Sequence, residues 1–82
     1  MQMIAAARYN VWEDITKSDT VNFTRGICDA IYVGGAGIVV AIQQDGTARS
    51  FTAVAGEILP IAAIRVNSAT TSATLMVALY TV

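Results

Sequence analysis

Over much of this chain apolar and polar residues alternate with a period of two, and glycine-containing or polar gaps break the alternation at short intervals. That pattern predicts half-buried strands joined by turns. From Ile38 to Gln43, residues Ile38, Val40 and Ile42 point one way and Val39 and Ala41 the other. Both sides are apolar, so this strand is expected to be covered on both faces. Asp45-Gly46 follows and is the strongest hairpin signal in the chain, because both residues tolerate the positive φ of a tight turn. Thr47 to Val54 is the expected return strand, and Ala55-Gly56 the next turn. Glu57 to Asn67 reads as a strand interrupted near Pro60, which has no N–H and marks an edge or a bend. Beyond it the alternation places Ala62, Ile64 and Val66 inward, with Arg65 and Asn67 outward. Ser68 to Ala73 reads as a Ser/Thr loop. Thr74 to Tyr80 is the last strand, with Leu75, Val77 and Leu79 on one face.

In the first half, Ile27 to Val33 reads as a strand and Gly34-Gly35-Ala36-Gly37 as a turn. Val11 to Phe23 carries Asp14, Ser18, Asp19 and Asn22 and reads as a loop. Met1 to Asn10 reads as an arm, with a short strand or a turn of helix at Ala5-Ala6-Ala7 both open. No segment carries a helical stripe. Val, Ile and Thr occur nine times each against three Leu, a ratio that favours sheet because branched side chains stack well on a pleated surface. The expected fold is all-β: a small antiparallel β-sandwich or barrel of five to six short strands with an N-terminal arm. Residues 1–14 form the arm and lead-in, and residues 15–82 a single β domain.

Composition changes the picture in one direction. A chain of 82 residues buries a thin core and usually needs disulfides, a metal or oligomerisation to compensate. Cys28 is the single cysteine and there is no histidine, so an internal disulfide is excluded and a zinc donor set is poor. Association is the remaining route. Charged residues make up 13% and hydrophobic residues 55%, against roughly 25% charged in an average globular chain. Mean hydropathy is +0.57. Neighbouring subunits are therefore expected to cover part of the surface, and the chain is expected to be a homo-oligomer. A membrane span does not explain the hydropathy: the charge-free apolar stretch Ile31 to Ile42 contains three glycines and falls short of the roughly 20 residues a spanning helix needs. Met1 to Ala7 has no basic flank of the kind that precedes a signal-peptide core. A net charge of −1 leaves no basic patch for nucleic acid.

Candidate chemistry is sparse. Of the carboxylates only Glu13 and Asp14 are adjacent; Asp45 belongs to its turn, and Asp29 and Glu57 begin strands. Cys28 opens an apolar strand and reads as a buried, inert thiol, with Arg25 the only cation close by in sequence. Gly34, Gly35 and Gly37 lack both the later glycine of a dinucleotide loop and the Lys-Ser/Thr of a P-loop, and a strand follows them. Asn22-Phe23-Thr24 matches a glycosylation sequon but comes without a secretion signal. No catalytic residue, cofactor or metal is expected. Aromatic residues are the more informative group: Tyr9 and Trp12 either fold back to cap the domain or anchor the arm to another subunit. Met3, Ile4, Tyr9 and Trp12 are the candidate subunit-interface residues.

Several segments in order carry a family resemblance. They are Thr24-Arg25, Ala30-Ile31-Tyr32-Val33-Gly34-Gly35-Ala36-Gly37, Asp45-Gly46, Phe51, Ala55-Gly56-Glu57-Ile58-Leu59-Pro60-Ile61, Arg65-Val66, Thr70-Thr71-Ser72-Ala73-Thr74 and Ala78-Leu79-Tyr80. The stretch Ile15 to Tyr80 resembles the spike base proteins of gene-transfer-agent-like particles and related tailed phages. The resemblance implies a virion structural protein on the capsid surface, made in the bacterial host cytoplasm. The role it implies there is that of a capsid decoration (cement) protein or of the base of a head spike or fibre. Implied partners are the major capsid protein, copies of the chain itself and a spike or fibre protein, with no nucleic acid or membrane. The resemblance brings no catalytic residues and does not reach Met1 to Asp14. Two other readings stay open: a tail component, or a small ligand- or carbohydrate-binding β module that stacks sugars on Tyr32, Tyr80 and Trp12.

Overall fold

The computed structural model describes residues 8–82, and these form an all-β sandwich. Its strands are β1 (Val11–Asp14), β2 (Ala30–Gly35), β3 (Gly37–Ile42), β4 (Ala48–Ala53), β5 (Glu57–Leu59), β6 (Arg65–Val66) and β7 (Thr74–Tyr80). One sheet has four strands in the order β1-β7-β2-β5, the other three in the order β4-β3-β6, and all pairs are antiparallel. The core lies between the sheets. Ile31, Val33, Leu59, Met76, Ala78 and Tyr80 from the larger sheet meet Val39, Ala41, Ala53 and Val66 from the smaller.

The hairpin at Asp45-Gly46 forms as the turn residues require. The Gly46 N–H donates to the Gln43 carbonyl at 2.9 Å, and Gly46 takes φ +92°. The Asp45 carboxylate accepts the Thr47 N–H at 2.9 Å. That bond holds the Asp45 carboxyl below its ordinary range. A Cβ at Gly46 would meet nothing within 4 Å, so its conformation alone sets the cost of replacement. Gly46→Val is expected to cost about 1–3 kcal/mol and to lower the thermal midpoint without abolishing folding; an unchanged melt would contradict the left-handed turn.

β3 is covered on both faces, as its pattern predicts. Val39 and Ala41 face the core, and Val40 and Ile42 on the other side are equally withdrawn from water. The Ser/Thr loop contributes to this. Thr71 Oγ1 accepts the Val40 N–H at 3.1 Å and Ser72 Oγ accepts the Ile38 N–H at 2.8 Å. Asp19 in turn accepts the N–H groups of Ser68 and Ala69, each at 3.0 Å. Side chains thus finish the hydrogen bonding of a sheet whose third strand, β6, is two residues long.

Three expectations are corrected. Val11–Asp14 is not loop but an edge strand, paired with β7 from Val11↔Tyr80 to Asp14↔Val77. Gly34-Gly35-Ala36-Gly37 is not a turn: Gly34 and Gly35 end β2, Gly37 begins β3, and the chain changes sheet at Ala36. Beyond Pro60 the buried alanine is Ala63, while Ala62 is exposed. The proline separates β5 and β6 into different sheets, which resets the inward phase.

Candidate interaction surface

The larger sheet has two unlike faces. Residues level with one another across its strands share a face. Trp12, Leu79 and Ala30 form one row, and Asp14, Val77, Tyr32 and Ile58 the next. Leu75 follows, beside Gly34. The core cluster takes the alternate residues, so this set is the outer face. Leu75, Val77 and Leu79 do share a face, but it is this one. Met76, Ala78 and Tyr80 supply the core.

The outer face is apolar; Ala30 and Leu79, level with Trp12, are buried, and the rest of it is wholly or partly in water. Leu75 is 77% exposed, Trp12 67%, Ile58 47% and Tyr32 36%. Its rows carry Asp14 as their charged side chain among the described residues. Scattered surface hydrophobics are ordinary, but four large exposed ones on one face of four strands make that face a candidate interaction surface. Two details fit burial under a partner. The indole N–H of Trp12 donates to the Tyr9 carbonyl at 2.6 Å, so covering the ring leaves no unpaired donor. Leu75 has φ +55°, a left-handed conformation uncommon for a bulky residue. Gly34 makes room for it: a Cβ there would lie 2.8 Å from the Leu75 Cβ.

The candidate residues distribute unevenly. Trp12 lies on the outer face and Tyr9, half-buried, is tied to it. Met3 and Ile4 fall outside the described residues. Ile58 and Leu75 join the surface without having been named as site residues in the sequence, and Tyr32 was named there only for sugar stacking. Their signal was available, since Thr74–Tyr80 is apolar on both faces, as β3 is. The sugar-stacking trio separates: Tyr32 and Trp12 face outward, whereas Tyr80 is buried and its hydroxyl donates to the Gly26 carbonyl at 2.9 Å. Those three rings form no common platform.

Most of the carboxylates have local structural partners. Glu13 pairs with Arg25 at 3.0 Å at the surface. Asp29 accepts the Thr81 N–H, and Glu57 accepts the Val54 N–H. A cleft of about 370 Å³ between the 16–24 segment and the edge of the larger sheet contains Glu13, Lys17, Phe23 and Tyr80. Of its hydroxyls Thr16, Ser18 and Thr24, Ser18 Oγ accepts the Thr20 and Val21 N–H groups at 3.2 and 2.9 Å and so serves the local turn. Among the described residues no three His, Cys, Asp or Glu side chains converge to hold a metal, and no helix is long and apolar enough to cross a membrane.

Cys28 is buried, its thiol directed at the Ile61 carbonyl at 3.7 Å. Burial pushes its pKa up. Native protein is expected to resist iodoacetamide at neutral pH and to react once unfolded. The raised folded-state pKa also fixes a sign. Stability is independent of this group below the ordinary thiol range, and falls as pH rises through that range toward the folded value, because only the unfolded chain ionises there. An alkylation rate equal to that of unfolded protein would contradict the buried placement.

No family model and no curated protein matches the sequence. Among solved structures, the chain is similar to one in the capsid of a native GTA particle, computed with C5 symmetry. The two are 30% identical, the alignment covers 89% of this chain and 84% of the other, and the TM-score is 0.81. The chain belongs to the family of that capsid-particle protein. At this coverage the relationship spans the sandwich as a whole rather than one hairpin or one sheet.

Proposed function

We propose that this chain is a non-enzymatic structural protein of a phage-type particle, bound at the capsid surface as a decoration protein or as the base of a head spike. Its kinship over nearly the whole domain with a chain from a GTA-particle capsid carries this reading. Low charge and an apolar outer sheet face support it, because both suit a subunit that spends its life against neighbours. Its partners are the major capsid protein, copies of itself and a spike or fibre protein. The packed domain takes in β1 (Val11–Asp14) with residues 15–82, the arm is the part of residues 1–14 that precedes β1, and Met3, Ile4, Tyr9 and Trp12 are its interface anchors. Burying one Ile or Met side chain contributes about 1.5–3 kcal/mol, so a few anchors offset much of the cost of ordering a short arm.

The test is retention on particles. Tagged chain added to heads lacking it should remain bound after washing, and microscopy of labelled protein should place it on the head. A chain without residues 1–8 should keep its β circular dichroism but wash off at least tenfold more readily. Labelling of the tail, or no retention of the full chain, would overturn the reading. Parental retention of the shortened chain would move the attachment onto the sandwich.

A further inference from the structure

The residues before β1 and the outer face of the larger sheet are both apolar. The structure shows how the two are oriented. Asn10 continues the β1–β7 ladder, its N–H donating to the Tyr80 carbonyl at 2.9 Å. Its side chain then clasps Val82, accepting the Val82 N–H and donating to the Val82 carbonyl, each at 2.9 Å. The chain therefore enters β1 from beyond the last residue of β7. Leu79 and Ala30, level with Trp12 at that end, are already buried, and the exposed Tyr32, Ile58 and Leu75 lie the other way. To cover its own face, the segment 1–7 would have to reverse direction at Arg8 or Tyr9. Residues 1–9 contain no Gly, Pro, Asn, Asp or Ser to make that turn. The Tyr9 carbonyl is also committed to Trp12.

Met1 to Ala7 carries no charge, and Gln2 is its one polar side chain. Seven extended residues reach about 23 Å. Four strands about 4.8 Å apart present a face of comparable width, about 19 Å. Edge pairing alone, through the backbone of β1 or β5, would leave Trp12, Tyr32, Ile58 and Leu75 in water. Occupation of the face covers them. We infer that the segment Met1–Ala7 of one copy packs across the outer face of the four-stranded sheet of a second copy, on Trp12, Tyr32, Ile58 and Leu75. This extends the capsid reading by naming a contact between sister subunits, and it is tested without particles.

The experiment uses full-length chains. Met3→Glu/Ile4→Glu charges the arm and keeps the face. Ile58→Glu/Leu75→Glu charges the face and keeps the arm. All four positions lie outside the packed core or outside the described residues, and circular dichroism should match the parent. Sedimentation and the emission of Trp12, the single tryptophan, report association. The parent should associate at micromolar concentration with a blue shift of Trp12. Each variant alone should associate at least tenfold more weakly. Mixed together they should form mixed pairs, because each supplies what the other lacks. Leu75→Gly gives a second readout: it relieves the left-handed backbone, so the melting temperature should stay level or rise while association weakens. A monomeric parent, parental association of either double variant, or a mixture that stays monomeric would overturn the inference. Particle retention is scored separately, so retention without self-association removes this contact and leaves the capsid reading standing.

Discussion

Gly37→Val is expected to take away about half of the chain's stability and to leave it partly unfolded at 25 °C. A Cβ at Gly37 would sit 2.6 Å from the Ala73 backbone nitrogen, 2.7 Å from Ser72 Oγ and 2.8 Å from the Ser72 carbonyl carbon. Two of those atoms are backbone and cannot swing away. They also lie where the Ser72 and Ala73 N–H groups donate to the Ile38 carbonyl. Relief of the clash therefore means moving the corner where the chain passes from β2 in one sheet to β3 in the other. Overpacking in a fixed surround costs about 1–3 kcal/mol, and the left-handed φ of +154° together with the disturbed hydrogen bonds adds about 1–3 kcal/mol more. Total stability for 82 residues is about 4–12 kcal/mol, so the loss removes about half of it. The contrast with Gly46→Val is the informative part. Gly46 has open space around it, and its substitution should shift a melt less far. If both variants melt alike, the close approach of residues 72–73 to Gly37 is not what requires glycine there.

The same glycines show where the sequence stops being informative. Asp45-Gly46 is a local device: it turns the chain through its own φ and a side chain two residues away, so it is visible in the sequence. Gly34, Gly35 and Gly37 answer to residues 72–75, far along the chain. Read locally they look like a turn. The strand β1 was hidden for a related reason. Val11-Trp12-Glu13-Asp14 does alternate, half-buried and exposed, but its two outward residues are a tryptophan and an aspartate. Only the pairing with β7 tells edge strand from loop. Which face of the last strand meets the core was open in the sequence, because that strand is apolar on both faces, and a period of two fixes which residues share a side but not which side is the core.

That ambiguity bears on how the surface is to be understood. The two-sided apolar strand Ile38 to Ile42 is satisfied within the chain, since both its faces are buried. It gives no reason for association. The shortage of charge is expressed elsewhere, on the outer face of the larger sheet, where apolar residues from four strands meet solvent. Composition foretold an exposed apolar surface; its location depended on which side of β7 packs inward.

Ile31→Ala is expected to lower stability by about 2–5 kcal/mol, and protein concentration should recover part of the loss. Ile31 is fully buried in β2, level with Leu59 on one side and Ala78 on the other. β2 is an inner strand, hydrogen-bonded to β7 and β5. Neither neighbour can close on the void without dragging its own ladder, so the cavity stays open and the cost lies toward the upper end of that range. In dilute solution such a chain should be partly unfolded. Association that requires the folded sandwich pulls the equilibrium back. A partner at a hundred times its dissociation constant adds about 2.7 kcal/mol, the same order as the damage. The thermal midpoint of the variant should therefore climb as its concentration is raised from submicromolar to hundreds of micromolar, and it should climb again on heads that bind the parent. Circular dichroism melts over that range make the measurement. A midpoint independent of concentration, in the variant and in the parent alike, would show that the sandwich stands on its own core and draws no stability from sister copies.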